Sequence, residues 1–504
     1  MKGNNNMNIT DQITMYKDIC PEKVAVQLGT RQLTYSALVD SMNQMANGLS
    51  NVEHSSKSNI AILMSNCVEF IQIFVGVVKA GLIPVPLDPK WSASEIRYVL
   101  TKCEPALLFI EGSLADKVEE EGIPTIIVEP DGTEDDFSNW LASNAVEEPI
   151  TPLINEVLFL GFTSGTTGTP KGYIRTHLSW LESFYSTNKA FNLKFCDHIL
   201  APGPLVHSLS LFAAIQTLFI GATFHIIRKF TPADVLKVCQ HVEETTIFLV
   251  PTMIQAIMDY AVRAPHPYHV PKAVISSGAK WSAASKEGVM EVFPNLDIYE
   301  FYGSSEASYI SYLTPQNNRL KPDTVGKPFP QVKISIRDMD GKEVKTGEVG
   351  QLFVSSEMIF SGYFQQEDET NNVLKDNWLK LGDYARRDEE GYLYIEGRAK
   401  NMIVSGGLNI FPEEIERVLM QLPEIEAVMV TSLPDAYWGE KVIVLVQWKQ
   451  GYTLNLQEVK SHCRKYLASY KTPQELIEVT AFPYTSSGKI ARNLVKQQMI
   501  EVCR

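Results

Sequence analysis

LGFTSGTTGTPKG, residues 160–172, decides how the rest of this 504-residue chain is read. An apolar run over 157–162 leads into a loop of Thr, Ser and Gly that closes on a single lysine. Gly165, Gly168 and Gly172 let backbone come close to a ligand, and Thr163, Ser164, Thr166, Thr167 and Thr169 crowd hydroxyls around it. Lys171 adds a positive charge. Backbone N–H groups, hydroxyls and one cation are the means of holding a polyphosphate. Two other loops are excluded. A Walker A loop needs Lys followed by Ser or Thr, but Pro170 precedes Lys171 and Gly172 follows it. A nucleophile elbow needs Gly-x-Ser-x-Gly, and Gly161-Phe162-Thr163-Ser164-Gly165 has threonine at its centre. A linker of small residues is disfavoured, because an apolar strand leads in and the loop is not repetitive.

TSGTTGTPKG resembles the phosphate loop of the adenylate-forming superfamily: acyl-CoA synthetases, aryl-CoA ligases, peptide-synthetase adenylation domains and luciferases. Three further stretches agree with it, in the family's order. In YEFYGSSEAS, residues 299–308, Tyr302 can stack on a base, Gly303 admits close backbone, and Glu306 is a hard oxygen ligand. The resemblance implies Glu306 and Thr166 on Mg²⁺ and a hydroxyl on phosphate, with Ser305 where Thr is usual. In residues 378–416, Asp383 follows Gly382 in an expected turn. The bland reading of that region is a turn-forming Asp383 and a surface ion-pair partner in Arg398. The resemblance implies instead that Asp383 binds ribose, Arg398 contacts ribose or phosphate, Lys400 is the hinge, and Ser405, Gly406 and Gly407 form the thioester loop. In PYTSSGKIAR, residues 483–492, Pro483, Thr485, Gly488 and Lys489 match the family pattern, which makes Lys489 the adenylation lysine.

The bulk composition allows this reading. Hydrophobic content of 45% with 21% charged residues is that of a globular protein of two to four domains. A net charge of −14 argues against general nucleic-acid binding and against a polybasic membrane anchor. Seven scattered cysteines, at 20, 67, 103, 196, 239, 463 and 503, show no metal spacing and imply reduced thiols in a cytoplasmic protein. The N-terminus has no apolar core, so no signal peptide is expected. Residues 209–227 lack Asp, Glu, Lys and Arg, but their polar Ser, Gln, Thr and His favour a buried helix passing into a buried strand over a membrane span.

The expected fold class is α/β. Alternating apolar runs and helical patterns over 59–110, resuming over 157–302, imply largely parallel sheets covered by helices. Residues 113–155 read as an acidic surface excursion and 325–364 as a β-rich segment. FPEEIERVLMQL begins a compact α+β unit: Pro412 sits in its first turn, and Phe411, Ile415, Val418, Leu419 and Leu422 share a face. Asn455 and Glu458 form a capping box ahead of a helix expected to bury Leu456, Val459, Cys463 and Tyr466. The expected division is a large multi-sheet domain, 1–397, and a small mobile domain, 398–504, with the active site between.

Substrate is less sharply written. His207, in APGPLVHSLS, falls where the family places a residue beside the acceptor carboxylate. Amino-acid-activating relatives keep an Asp here, and this chain has Val206-His207-Ser208. SSGAKWSA puts Gly278 and Ala279 near adenine by resemblance, with Lys280 and Trp281 in place of Pro-Leu. His266 and His269 make an H-x-x-H spacing between prolines, a poor metal site. The expectation is ATP- and Mg²⁺-dependent activation of a fatty or aryl acid and its transfer to CoA, with a homodimer left open. The rivals are an acyl-AMP ligase loading a carrier protein in trans, with no fused carrier domain expected after Lys489, an o-succinylbenzoate-type or dicarboxylate CoA ligase, and a luciferase-like oxygenase. A dead adenylate-binding regulator would have lost Lys489 or Glu306, and both are present.

Overall fold

The computed structural model describes residues 8–50, 59–118, 122–130, 135–149, 156–164, 170–263, 269–278, 281, 283–406, 408–435, 437–485 and 489–502. The chain divides into two compact units, residues 1–332 with 355–377, and residues 333–354 with 378–504.

In the first unit the alternating pattern over 59–110 becomes a four-stranded parallel sheet. Its order is Ile83–Leu87, Asn59–Leu63, Leu107–Glu111, Thr125–Val128. Both faces are covered, which explains why NIAIL and LLFI read as unbroken apolar runs. The supposed excursion after 113 is in part structural: Thr125–Val128 pairs with Leu107–Glu111, and Phe137 and Trp140 pack edge-on against Phe109. Acidic loops on either side hid a short strand and helix from a reading of composition.

A nine-stranded sheet forms the centre of this unit. Its inner strands, from Asp297–Ser304 through Ala273–Ser276, Thr245–Leu249, His198–Leu200 and Thr223–His225 to Val24–Leu28, run parallel. Antiparallel hairpin strands close both edges. Residues 209–227 behave as expected, with a buried helix Ser208–Phe219 followed by the strand Thr223–His225. No helix among the described residues is long and apolar enough to cross a membrane. A small antiparallel sheet, Gly362–Tyr363, Pro170–Thr176, Val157–Ser164, carries the Thr- and Gly-rich loop.

The second unit holds an antiparallel sheet that includes Lys333–Arg337, Trp378–Arg387 and Leu393–Arg398, and a mixed sheet centred on Gly439–Trp448. Phe411 packs on Tyr384, and Arg417 donates to the Ile395 carbonyl, so residues before and after 398 group together in compactness. The boundary of movement near 398 is therefore kept as a proposal. The Asn455–Glu458 capping box forms, and Val459 and Cys463 are buried. Tyr466 is instead 59% exposed, lying on His462 at the helix surface, because the buried stripe ends one turn earlier.

Two histidines are buried in the first unit. His177 Nδ1 accepts from the Ile9 N–H, and His225 Nε2 lies 2.9 Å from His198 Nδ1. Burial pushes His177 down to about 4, and burial together with His198 does the same to His225. The folded state keeps both neutral while the unfolded chain takes up protons near 6.5. Stability should therefore fall as pH drops from 6.5 towards 4. Urea midpoints measured at pH 7 and pH 5 check this, and His225→Gln should lose part of the slope.

Candidate active site

In the first unit, Val157–Ser164 pairs antiparallel with Pro170–Thr176, with Thr163 opposite Lys171. Gly165, Thr166, Thr167 and Gly168 lie outside the described residues, as do Ala279, Lys280, His266 and Gly407. Lys171 ion-pairs with Glu369, and its Nζ lies 3.4 Å from the centroid of the Tyr363 ring. The Tyr363 hydroxyl donates to Glu306 Oε1 at 3.2 Å. Burial, and then the charge of Glu306, pushes the Tyr363 phenol far up, so it stays a donor at working pH.

Glu306 occupies the turn between Asp297–Ser304 and Ser308–Leu313. Tyr302 and Gly303 end the first of these strands, and a Cβ on Gly303 would lie 1.9 Å from the Ser308 carbonyl oxygen. Only glycine fits that approach. Beneath the turn lies Arg175, 3% exposed, whose guanidinium donates to the carbonyls of Ser305 at 3.0 Å and Met358 at 2.8 Å. Burial lowers Arg175 to about 10, which leaves it charged at neutral pH. Ser305 Oγ is 3.2 Å from Ser208 Oγ, which is 2.7 Å from the Tyr173 hydroxyl.

His207 caps the helix Ser208–Phe219, with Nε2 3.0 Å from Asp88 Oδ2. Burial would raise the Asp88 carboxyl, but the hydrogen bonds from His207 and the Lys90 N–H, with their positive charges, hold it below the usual value. Asn66 shapes the approach to His207 by accepting from the Leu205 N–H and donating to the Gly203 carbonyl. Gly278 turns at φ +93° after the strand Ala273–Ser276. Trp281 is a core residue, 1% exposed, and donates to Ser285.

In the second unit, Asp383 is not in a turn. It sits in the strand Trp378–Arg387, where the pairing register shifts and Gly382 adopts φ +74°, a bulge that re-aims the next side chain. Asp383 and Arg398 are cross-strand partners, and Arg398 Nε donates to Asp383 Oδ1 at 2.9 Å. Lys400 follows in a 3₁₀ turn. The Thr485 N–H donates to the Lys489 carbonyl at 2.7 Å. The Lys489 ammonium is lowered by desolvation and by the charge of Arg398, with Asp383 partly offsetting. Lys400 is lowered likewise, by burial and then Arg398. Ser405 Oγ donates to the Glu440 carbonyl, and Gly406, at φ +57°, donates its N–H to the Trp438 carbonyl.

Asp88, Arg175, Tyr363 and Glu369 escaped the sequence reading. Arg175 left a trace: with Lys171 and Tyr173 it shares one face of a period-two strand, and it is a charge at a buried position. Glu369 left none, since it meets Lys171 across 198 residues. Among the described residues no group of three or more His, Cys, Asp and Glu could hold a metal ion. A lone carboxylate beside hydroxyls suits Mg²⁺, which takes its other oxygens from water and substrate phosphates.

A family model for AMP-binding enzymes matches residues 18–364, and one for the AMP-binding enzyme C-terminal domain matches 414–489. An uncharacterized acyl–CoA ligase, YhfT of Bacillus subtilis, is 37% identical over 98% of this chain and 99% of its own. The putative long chain fatty acid–CoA ligase VraA of Staphylococcus epidermidis is 31% identical over 98% of each chain. ATP-bound MatB from Rhodopseudomonas palustris shares the fold, with a TM-score of 0.89 at 24% identity over 99% of this chain and 100% of that one. The o-succinylbenzoate CoA synthetase MenE of Bacillus subtilis, in complex with OSB-AMP, gives a TM-score of 0.84 at 25% identity over 96% of this chain and 97% of that one.

Arg175→Met would strip two carbonyls of a charged donor, each such bond contributing roughly 1.5–3 kcal/mol. The expected loss is about 3–5 kcal/mol in urea unfolding. Arg175→Lys should recover little, because lysine lacks the planar fork. An Arg175→Met protein within about 1 kcal/mol of wild type would remove Arg175 as the support of the Glu306 turn.

Proposed function

The chain belongs to the family of AMP-binding enzymes, and on that premise we propose that it joins a fatty or aryl carboxylic acid to coenzyme A through an acyl-adenylate. It is an AMP-forming acid–thiol ligase. In the first half-reaction a carboxylate oxygen bonds to the α-phosphorus of ATP and pyrophosphate leaves, giving acyl-AMP. In the second, the CoA thiol gives up its proton, its sulfur bonds to the acyl carbon, and AMP leaves with the bonding pair. The observation that carries the reading is the Lys171–Tyr363–Glu306 arrangement at the base of the phosphate hairpin. It brings a cation and a hard anion onto one tyrosine, which supports a site for a Mg²⁺-bound polyphosphate.

Carboxylate and ATP are both anions, so the protein must offset their repulsion and align them. Lys171 and the hydroxyls and N–H groups of the hairpin loop, from Thr163 to Gly168, are assigned to the phosphates, with Ser305. Glu306, with Thr166, would hold Mg²⁺, which when bound neutralises phosphate charge. Tyr302, Gly303, Gly278 and Ala279 are assigned to adenine. Asp383, oriented by Arg398, is assigned to the ribose hydroxyls, and Lys489 to the attacking carboxylate and the phosphate it meets. Ser405, Gly406 and Gly407 are assigned to the thioester step, with Lys400 as hinge. The six described cysteines are free thiols, which supports a reducing, cytoplasmic setting.

Relatives named as long chain fatty acid–CoA ligases support an alkyl acid. An amino acid would bring an ammonium, and a buried unpaired charge costs several kcal/mol or more. Asp88 reaches this region, but its carboxylate is committed to His207 and the Lys90 N–H. Hydroxylamine trapping of acyl-AMP over aliphatic, aromatic, dicarboxylic and amino acids tests the class, repeated with CoA to read the acceptor. Fatty or aryl acids should react. A preference for any α-amino acid over its des-amino analogue would sink the assignment, and a dicarboxylate preference would replace the alkyl acid with a diacid.

Lys489→Ala should slow adenylate formation by at least about 10²–10³-fold and leave thioester formation from supplied acyl-AMP much less affected. Lys400→Pro, which fixes φ, should do the converse. Equal losses in both half-reactions for both variants would contradict the division of labour.

A further inference from the structure

Tyr363 has no part in the roles assigned above, yet it touches the two charges that Mg²⁺-ATP must engage. Its hydroxyl is 3.2 Å from Glu306 Oε1, and its ring face lies 3.4 Å from Lys171 Nζ. We propose that Tyr363 is a positioning residue that sets the Glu306 carboxylate for Mg²⁺ and holds Lys171 ready for phosphate. The proposal rests on the nucleotide reading of this hairpin.

The side chain is well placed for that work. Tyr363 belongs to the strand Gly362–Tyr363, which pairs with Pro170–Thr176 so that Tyr363 lies opposite Tyr173. The Tyr363 N–H donates to Thr370 Oγ1 at 2.9 Å, and the Phe360 ring meets the Tyr363 ring edge-on at 4.9 Å. Backbone and ring are both fixed, so the hydroxyl has one direction to offer.

The chemistry explains why a tyrosine stands here. A direct Lys171–Glu306 ion pair would neutralise both groups, and an arriving nucleotide would first have to break it. An aromatic face attracts an ammonium by about 0.5–2 kcal/mol and surrenders it readily to a phosphate. The second partner of Lys171, Glu369, is 54% exposed on its side chain, and such solvent-facing pairs are weak. At the other end, the phenol occupies Oε1 and so fixes the rotation of the carboxylate. A metal ligand held in one orientation does not lose rotamer entropy when the ion arrives.

The test separates the hydroxyl from the ring. Binding of a fluorescent ATP analogue to the full chain is titrated with and without Mg²⁺, alongside melting temperature. Tyr363→Phe should raise the Mg²⁺ concentration for half-maximal binding about tenfold, the effect of losing one hydrogen bond to a charged group. Mg²⁺-free binding should stay at the wild-type value, and the melting temperature should fall by no more than a few degrees. Tyr363→Leu should in addition weaken Mg²⁺-free binding about threefold, as Lys171 loses the ring. An unchanged Mg²⁺ requirement in Tyr363→Phe overturns the proposal, as does a loss of equal size with and without Mg²⁺. Because the readout is nucleotide binding, it stands even if no acid in the panel is activated. In that event the acid assignment fails and the role of Tyr363 is still decided.

Discussion

The guanidinium of Arg175 is the tie on which the packing of the strand Pro170–Thr176 against the turn bearing Glu306 depends. It is buried, and its donors are shared between Ser179 Oγ and the carbonyls of Ser305 and Met358. One side chain thus joins three pieces of chain far apart in sequence: the return strand of the phosphate hairpin, the turn bearing Glu306, and the segment leading to Tyr363. A buried cation is costly unless its donors are used, and here they are. The charge of Glu306 acts on Arg175 in return and raises the proton affinity that burial lowers.

Lys171 and Glu306 approach one another through Tyr363. Lys171 meets an aromatic face and an exposed glutamate, while Glu306 meets a phenol. His207 and Asp88 are the contrasting case, a close pair at 3.0 Å in which the carboxylate also takes the Lys90 N–H. There direct contact holds the imidazole in one orientation. In the second unit Asp383 stands among Arg398, Lys400 and Lys489, and burial, followed by the charge of Arg398, lowers both lysines. A lysine so placed gains by meeting an anion.

Much of this was legible in the chain itself. The parallel sheet over 59–110 showed as apolar runs because both its faces are covered, and the capping box at Asn455 was written in two residues. Lys171, Glu306, Asp383, Arg398 and Lys489 stood out because glycines and hydroxyls surround them in a fixed order. Errors arose where local pattern and tertiary environment part. Gly382-Asp383 has the composition of a turn, but strand pairing on both sides absorbs it as a bulge. Tyr466 keeps the helical spacing of the buried stripe and still faces out, since the packing partner ends before it. Phe137 sits in an acidic stretch and is buried, because one aromatic edge against Phe109 outweighs the polarity around it.

By itself the sequence determined the fold class and the alternation of its elements, and it offered candidate groups for the chemistry. Those are properties of local periodicity, of backbone freedom at glycine and of side-chain chemistry, all of which act over a few residues. Only the tertiary structure decided who stands next to whom. Asp88 meets His207 across 119 residues, Arg175 meets Ser305 across 130, and Lys171 meets Glu369 across 198. Such pairings are set by how sheets and turns pack, and nothing in the immediate neighbourhood of either partner records them.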